Sequence, residues 1–212
     1  MNDVTIGSYS MQTDFGLYLP EYTIPAPTPQ TKFVDIIGRD GPVDLSNAFG
    51  VMHYGARKWT LNFKTFEPVN WHTLTSNVMN AIHGKRLDFV FDADPSYKWT
   101  GRFNVKNYST RTGEGTLQVE ITSDPYKLKT TATTVTSAAG TVTLSNSSMP
   151  VVPTITATAT MGLEWTYNGA TYTASVSSGT STVPQLVLYE GNTVVTVTGS
   201  GSVTFTYTEG SL

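Results

Sequence analysis

Along most of the chain, large apolar residues alternate one for one with polar residues. Trp59, Leu61 and Phe63 alternate with Thr60, Asn62 and Lys64. Leu87, Phe89 and Phe91 alternate with Asp88, Val90 and Asp92. A period of two sends successive side chains to opposite faces, so each run predicts a half-buried β-strand. The turn Asp92-Ala93-Asp94-Pro95 leads to a further strand carrying Trp99, Phe103 and Val105. Thr112-Gly113-Glu114-Gly115 predicts a hairpin turn into Leu117, Val119 and Ile121. Residues 20–29 are rich in proline, which fixes φ and donates no hydrogen bond, so this run is expected to be extended and solvated.

One segment breaks this rhythm. Trp71, Leu74, Val78 and Ile82 recur at spacings of three and four, which places them on one face of a helix. The helix is expected over about 70–83. Asn70 suits its N-cap, Gly84 its end, and Lys85-Arg86 its negative pole. Beyond it the pattern returns to strands and turns. Ile155 alternates with Thr154 and Thr156. Trp165, Tyr167, Asn168-Gly169, Tyr172 and Ala174 predict a hairpin with a two-residue turn. Val194 to Thr198, then Gly199-Ser200-Gly201, then Val203, Phe205 and Tyr207, predict a second hairpin. Strands about ten residues apart suggest a β-sandwich. The fold class is therefore all-β, mainly strand with one helix.

Charge adds a boundary to this picture. All 13 Lys and Arg lie at or before Lys129, whereas residues 130–212 hold only Glu164, Glu190 and Glu209 as charged groups. Thr supplies 22 of those last 83 residues. This step predicts two domains, 1–129 and 130–212, with 130–140 as a linker or first strand. The formal net charge of −3 gives no sign of nucleic-acid binding. There is no cysteine, which excludes disulfides and thiolate metal sites. The first residues, MNDVTIGSYS, lack the basic and apolar regions of a signal peptide, and no apolar run approaches the length of a membrane helix. A soluble protein made in a cytoplasm is expected, with no membrane partner and with the sequons at Asn107 and Asn146 unglycosylated.

Candidate chemistry is sparse. His53, His72 and His83 fall at no metal-ligand spacing and read as helix-face or loop residues. A calcium loop begun at Asp92 needs Gly at its sixth place and Glu at its twelfth, but Tyr97 and Phe103 stand there. No GxSxG, Walker or GxGxxG motif occurs. The hydroxyl-rich second half holds no His or Lys after Lys129 to act as a base. No enzyme, metal or cofactor is expected. Trp165, Tyr167 and Tyr172 form either an aromatic platform for sugar or part of the sandwich core. Gly38, Arg39, Asp40 and Gly41 suit a turn. Arg57 is expected to pair with Asp40 or Asp44 within one subunit, or with a group across an interface.

The order of motifs carries more information than any one of them. Ile37-Gly38-Arg39-Asp40-Gly41-Pro42-Val43-Asp44-Leu45-Ser46 precedes Tyr54-Gly55-Ala56-Arg57-Lys58-Trp59-Thr60-Leu61. Ile82-His83-Gly84-Lys85, Tyr97-Lys98-Trp99-Thr100-Gly101-Arg102 and Asp124-Pro125-Tyr126-Lys127 follow in that order. This series resembles the distal tail protein family of long-tailed, non-contractile bacteriophages. Pro184-Gln185-Leu186-Val187-Leu188-Tyr189-Glu190-Gly191-Asn192 and Phe205-Thr206-Tyr207-Thr208-Glu209-Gly210 resemble that family's C-terminal galectin-like sandwich. The family often has Pro where Ile37 stands and a basic residue near Thr208. The resemblance implies an N-terminal β-sandwich or barrel that builds a hexameric ring at the tail tip. That ring stacks under the tail tube protein and sits above the tail-associated lysin or hub protein. The C-terminal domain projects outward to hold receptor-binding or other baseplate proteins. It also implies a virion location, assembly in the host cytoplasm, and a lumen through which DNA passes without binding. Gly38, Arg39, Asp40, Gly41, Asp44, Tyr54 and Arg57 are then interface candidates. The competing reading is a carbohydrate-binding surface module or adhesin.

Overall fold

A computed structural model describes residues 2–48, 50–65, 70–111 and 114–212, with the side chains of residues 110 and 111 outside the description. Thr112 and Gly113 of the expected hairpin turn fall outside the described residues. The chain divides into two compact units, Met1–Pro125 and Tyr126–Leu212.

The first unit opens with β1 (Val4–Ile6), β2 (Tyr9–Ser10) and the short helix α1 (Met11–Phe15). A small hairpin of β3 (Phe33–Val34) and β4 (Val43–Asp44) stands apart from the main sheet. Then come β5 (Arg57–Thr65), helix α2 (Trp71–Ile82), β6 (Arg86–Phe91), β7 (Tyr97–Arg111) and β8 (Glu114–Ser123). The main sheet is antiparallel in the order β2-β1-β6-β7-β8-β5. It does not close into a barrel. Single bridges from Leu19 to Asn2 and from Tyr18 to Lys64 lace its two edges instead.

The alternation explains these strands. Trp59, Leu61 and Phe63 of β5, Phe89 and Phe91 of β6, and Leu117, Val119 and Ile121 of β8 all enter one buried cluster. Trp59 sits at its centre, edge-on to Phe89 at 5.5 Å and to Trp99 at 4.9 Å. Its indole N–H donates to the Ser123 hydroxyl at 2.9 Å, so the buried polar edge is satisfied.

Helix α2 covers part of this core. Asn70 caps it by accepting from the Thr73 amide, and Lys85 Nζ donates to the carbonyls of Asn80 and Ala81 at its end. His83 is the C-cap, and its Nδ1 accepts from the Val105 amide, which ties the helix end to β7. The buried face is Thr75, Val78, Ala81 and Ile82, while Trp71 and Leu74 are only partly buried against the cluster. Trp71 lies over Gly115: a Cβ there would stand 1.4 Å from the indole ring. The glycine thus makes room for the helix to dock.

The second unit begins with β9 (Lys127–Lys129), β10 (Thr133–Ser137), β11 (Gly140–Asn146), β12 (Thr154–Ala157) and β13 (Met161–Tyr167). It continues with β14 (Ala170–Val176), β15 (Gly179–Thr182), β16 (Gly191–Thr198), β17 (Val203–Tyr207) and β18 (Gly210–Ser211). Two four-stranded antiparallel sheets, β10-β17-β12-β15 and β11-β16-β13-β14, share one core, with β18 paired to β9. This is a β-sandwich. β13 and β14 form the expected hairpin, and Asn168 and Gly169 both take positive φ (49° and 78°) at its turn.

β16 and β17 do not form the second expected hairpin. They lie in different sheets, joined by a short crossing at residues 199–202. Val195 and Val197 of one strand and Val203 and Phe205 of the other fill the same core from its two sides. Both a hairpin and a crossing need the same Gly-Ser-Gly turn, so burial across the sandwich decides between them.

Candidate functional site

The interface candidates of the first unit divide into an exposed arm, a buried anchor at Arg57, and the half-buried Tyr54, which is bridged to Pro29. The arm is the β3–β4 hairpin, registered Phe33 to Asp44 and Val34 to Val43. Gly38 and Gly41 take positive φ (86° and 74°) around Arg39-Asp40, which is why glycine stands at both places. Arg39 and Asp40 are exposed at the tip. Asp44 accepts from the Ser46 amide at 2.9 Å, and Ser46 in turn accepts from the Lys32 amide. The Ser46 contacts hold the Asp44 carboxyl below its ordinary pKa. Asp44 therefore braces its own loop.

The arm is also apolar. Phe33, Ile36, Ile37 and Leu45 are exposed, and Ile37 is wholly so. Four large apolar side chains around so small a hairpin are costly to leave in water. In sequence, the glycines and charges of this turn are its visible features. The apolar flanks that the fold leaves uncovered give the stronger signal.

Arg57 is not part of the arm and pairs with neither Asp40 nor Asp44. It is 3% exposed at the start of β5. Its Nε donates to the Pro125 carbonyl at 2.7 Å, and its Nη1 to the Pro25 carbonyl at 2.6 Å. The guanidinium lies 4.6 Å above the Trp99 ring, and burial lowers its pKa. Arg57 shares the phase of Trp59, Leu61 and Phe63 on β5 and so lies on the strand's buried face, where its partners are backbone carbonyls and an aromatic face. One of those carbonyls belongs to the proline-rich run. That run is anchored at three points: this bond, a bridge from Pro29 to Tyr54, and Tyr22 stacked on Phe91 at 4.3 Å. It is mostly exposed, as its composition predicts, but it is held in place.

In the second unit, the aromatic residues fall on both sides of the core boundary. Trp165 is 4% exposed and belongs to the core. Tyr172, its cross-strand partner, is 39% exposed and stacks on it at 5.7 Å and 16°. Tyr167 leaves this pair and stacks on Tyr189 at 4.5 Å and 11°. Burial, and then a hydrogen bond with Tyr167, raise the Tyr189 pKa. The three residues do not form one flat platform. Instead a groove of about 370 Å³ opens beside Tyr167, Tyr189, Glu164, Glu190 and Asn192. Tyr189, Glu190 and Asn192 carry no site signal in sequence beyond their place in the Pro184–Asn192 motif, because nothing in the local spacing shows that residues 189–192 meet residues 164–167.

A buried carboxylate braces the same unit. Glu209 is 9% exposed. Its Oε1 accepts from Lys129 Nζ at 2.9 Å and from the Thr133 hydroxyl at 3.3 Å. Its Oε2 accepts from the Ser147 amide at 3.1 Å and from the Ser147 hydroxyl. Those contacts, led by Ser147 and then Lys129, hold its pKa at about 2. Among the described residues, no group of His, Cys, Asp and Glu is placed to hold a metal ion. No helix of the described residues is long and apolar enough to cross a membrane.

No family model matches the chain, and no curated protein matches it. Solved structures do. The fold is that of a phage distal tail protein, mostly antiparallel strand with sheets that stay open. One such structure is SPP1 Dit (gp 19.1), described as a paradigm of the hub adsorption apparatus in phages that infect Gram-positive bacteria. It is 15% identical, covers 100% of both chains, and has a TM-score of 0.71.

Proposed function

We propose that this protein is a structural component of a phage tail tip, a distal tail protein whose copies form a hexameric ring. The observation that carries this reading is the fold correspondence with SPP1 Dit over the full length of both chains. Residues 1–129 are the ring-forming domain in this reading, and residues 130–212 are a galectin-like domain turned outward. The ring joins the tail tube protein to the tail-associated lysin or hub protein, and the outer domain docks receptor-binding or other baseplate proteins. The protein acts in the virion, at the distal end of the tail, and performs no catalysis.

Physical features of the first unit support the assembly. The β3–β4 arm exposes Phe33, Ile36, Ile37 and Leu45, which a neighbouring copy covers in the ring. Arg39 and Asp40 at its tip supply charges that select register on that neighbour. The Arg57 anchor, by contrast, acts within one subunit. DNA crosses the lumen without binding when the lining is neutral or acidic, because each phosphate contact made by Lys or Arg tightens binding by releasing counterions. Electron micrographs of the purified protein test the reading. Rings with six-fold end views are expected. Fields of isolated, folded single copies at micromolar concentration contradict it.

A further inference from the structure

We propose that the second unit carries a binding groove for a neutral saccharide, formed where strands β13 and β16 part company. The ladder between these strands runs from Gly162–Thr198 to Trp165–Val195 and stops there. Beyond that pair, β13 continues through Thr166 and Tyr167 alongside β14, while residues 192–194 of β16 continue alongside β11. The divergence leaves the groove of about 370 Å³, with Val187 and Tyr189 beside the gap. That volume lies in the range of small-molecule sites and takes one or two sugar rings.

The groups around the gap select the ligand. Tyr167 and Tyr189 are stacked on each other and half-buried, so an apolar, rigid surface stands at the groove. The C–H face of a pyranose packs on such a ring, and its hydroxyls remain free to hydrogen-bond. Glu164 and Glu190 are acceptors only. Asn192 Oδ1 already accepts from the Ser145 hydroxyl at 2.7 Å, so its Nδ2 is the group left to donate. The Thr193 hydroxyl adds a group that donates and accepts. A sugar ring carries donors and acceptors side by side and can use both kinds of partner. A lone ammonium group satisfies the two carboxylates and leaves the Asn192 and Thr193 donors without acceptors.

Charge narrows the class further. Residues 130–212 contain no Lys, Arg or His, and both charged side chains at the groove are carboxylates. A sialylated, uronic or phosphorylated glycan meets repulsion and no counter-charge. The groove therefore discriminates by sign: neutral sugars enter and acidic ones do not. The site stands independently of the hub reading, since a ring-forming protein and a monomeric module are equally able to carry it.

The test uses the full chain, with amide chemical shifts followed during titration. The probes are maltose, lactose and N,N′-diacetylchitobiose as neutral sugars, 6′-sialyllactose as the acidic sugar, and tetramethylammonium chloride as the cation. Saturable binding of at least one neutral sugar is expected, with a Kd of about 1 mM or tighter and shifts centred on Tyr167, Tyr189 and Glu190. Glu190→Gln keeps the shape of the site and should weaken that binding about tenfold or more, the loss of a hydrogen bond to a charged group. Tyr189→Ala should abolish it. Should Tyr189→Ala unfold the unit, Glu190→Gln and Asn192→Ala still decide the matter. Three results overturn the proposal: no saturable binding of any neutral sugar, equal binding of 6′-sialyllactose, or saturation by tetramethylammonium alone.

Discussion

Arg57 shows how much a single buried cation organises. Its two charge-assisted bonds run to carbonyls 32 and 68 residues away in sequence, so one side chain pins the proline-rich run and the end of the first unit to β5. Replacing it by Ala strands both carbonyls and removes the contact with Trp99. A loss of about 2–4 kcal/mol is expected in urea unfolding followed by tryptophan fluorescence. A loss below about 0.5 kcal/mol would mean that water replaces the guanidinium at no cost. Glu209 has the opposite charge and a similar task. Its folded pKa of about 2 lies below the ordinary value of 4.5, so the folded state binds this proton more weakly than the unfolded state. Its contribution is therefore complete above about pH 5 and is lost as pH falls towards 2, with an upper size of about 3 kcal/mol. Glu209→Gln should lower stability at pH 7 and flatten the fall between pH 5 and pH 2. An unchanged acid limb in this variant counts against the clasp. Neither role was legible in sequence. In sequence Arg57 reads as a charge in search of an acid or of a group across an interface, yet its partners are backbone carbonyls, which carry no sequence signature.

At the scale of elements, alternation was the most legible signal. Every buried aromatic of β5, β6 and β7 falls where the period of two places it. The helix was legible too, with its cap at Asn70 and the lysine at its end. Its buried face is turned slightly from the expected one. Val78 and Ile82 are fully buried, but Leu74 is only partly so. Replacing Ile82 by Ala should therefore cost about 2–5 kcal/mol, while Leu74→Ala should cost about 1 kcal/mol. Equal losses in thermal or urea unfolding would show that the whole expected face packs alike. The β16–β17 crossing was not legible, because a turn records that the chain reverses and not which sheet receives it. The groove beside Tyr189 was hidden for the same reason: it depends on two strands diverging.

For the whole molecule, the motif order resembles the distal tail protein family and the fold is similar to that of SPP1 Dit, while 15% identity leaves the assembly to be measured. The two units meet at Pro125 and Tyr126, a few residues before the charge step at Lys129. Lys127 and Lys129 lie in a strand paired with β18, and Lys129 also reaches Glu209, so the last basic residues serve the second unit. A tail-tip role rests on assembly, through an apolar arm that is costly to leave in water. Its most direct test is the mass of the full-length protein in solution, measured by light scattering across a tenfold range of concentration. Six chains of 23.0 kDa give about 138 kDa, or twice that if rings pair back to back. The account predicts one of these two masses, stable on dilution. A folded species that stays at 23.0 kDa throughout would contradict it.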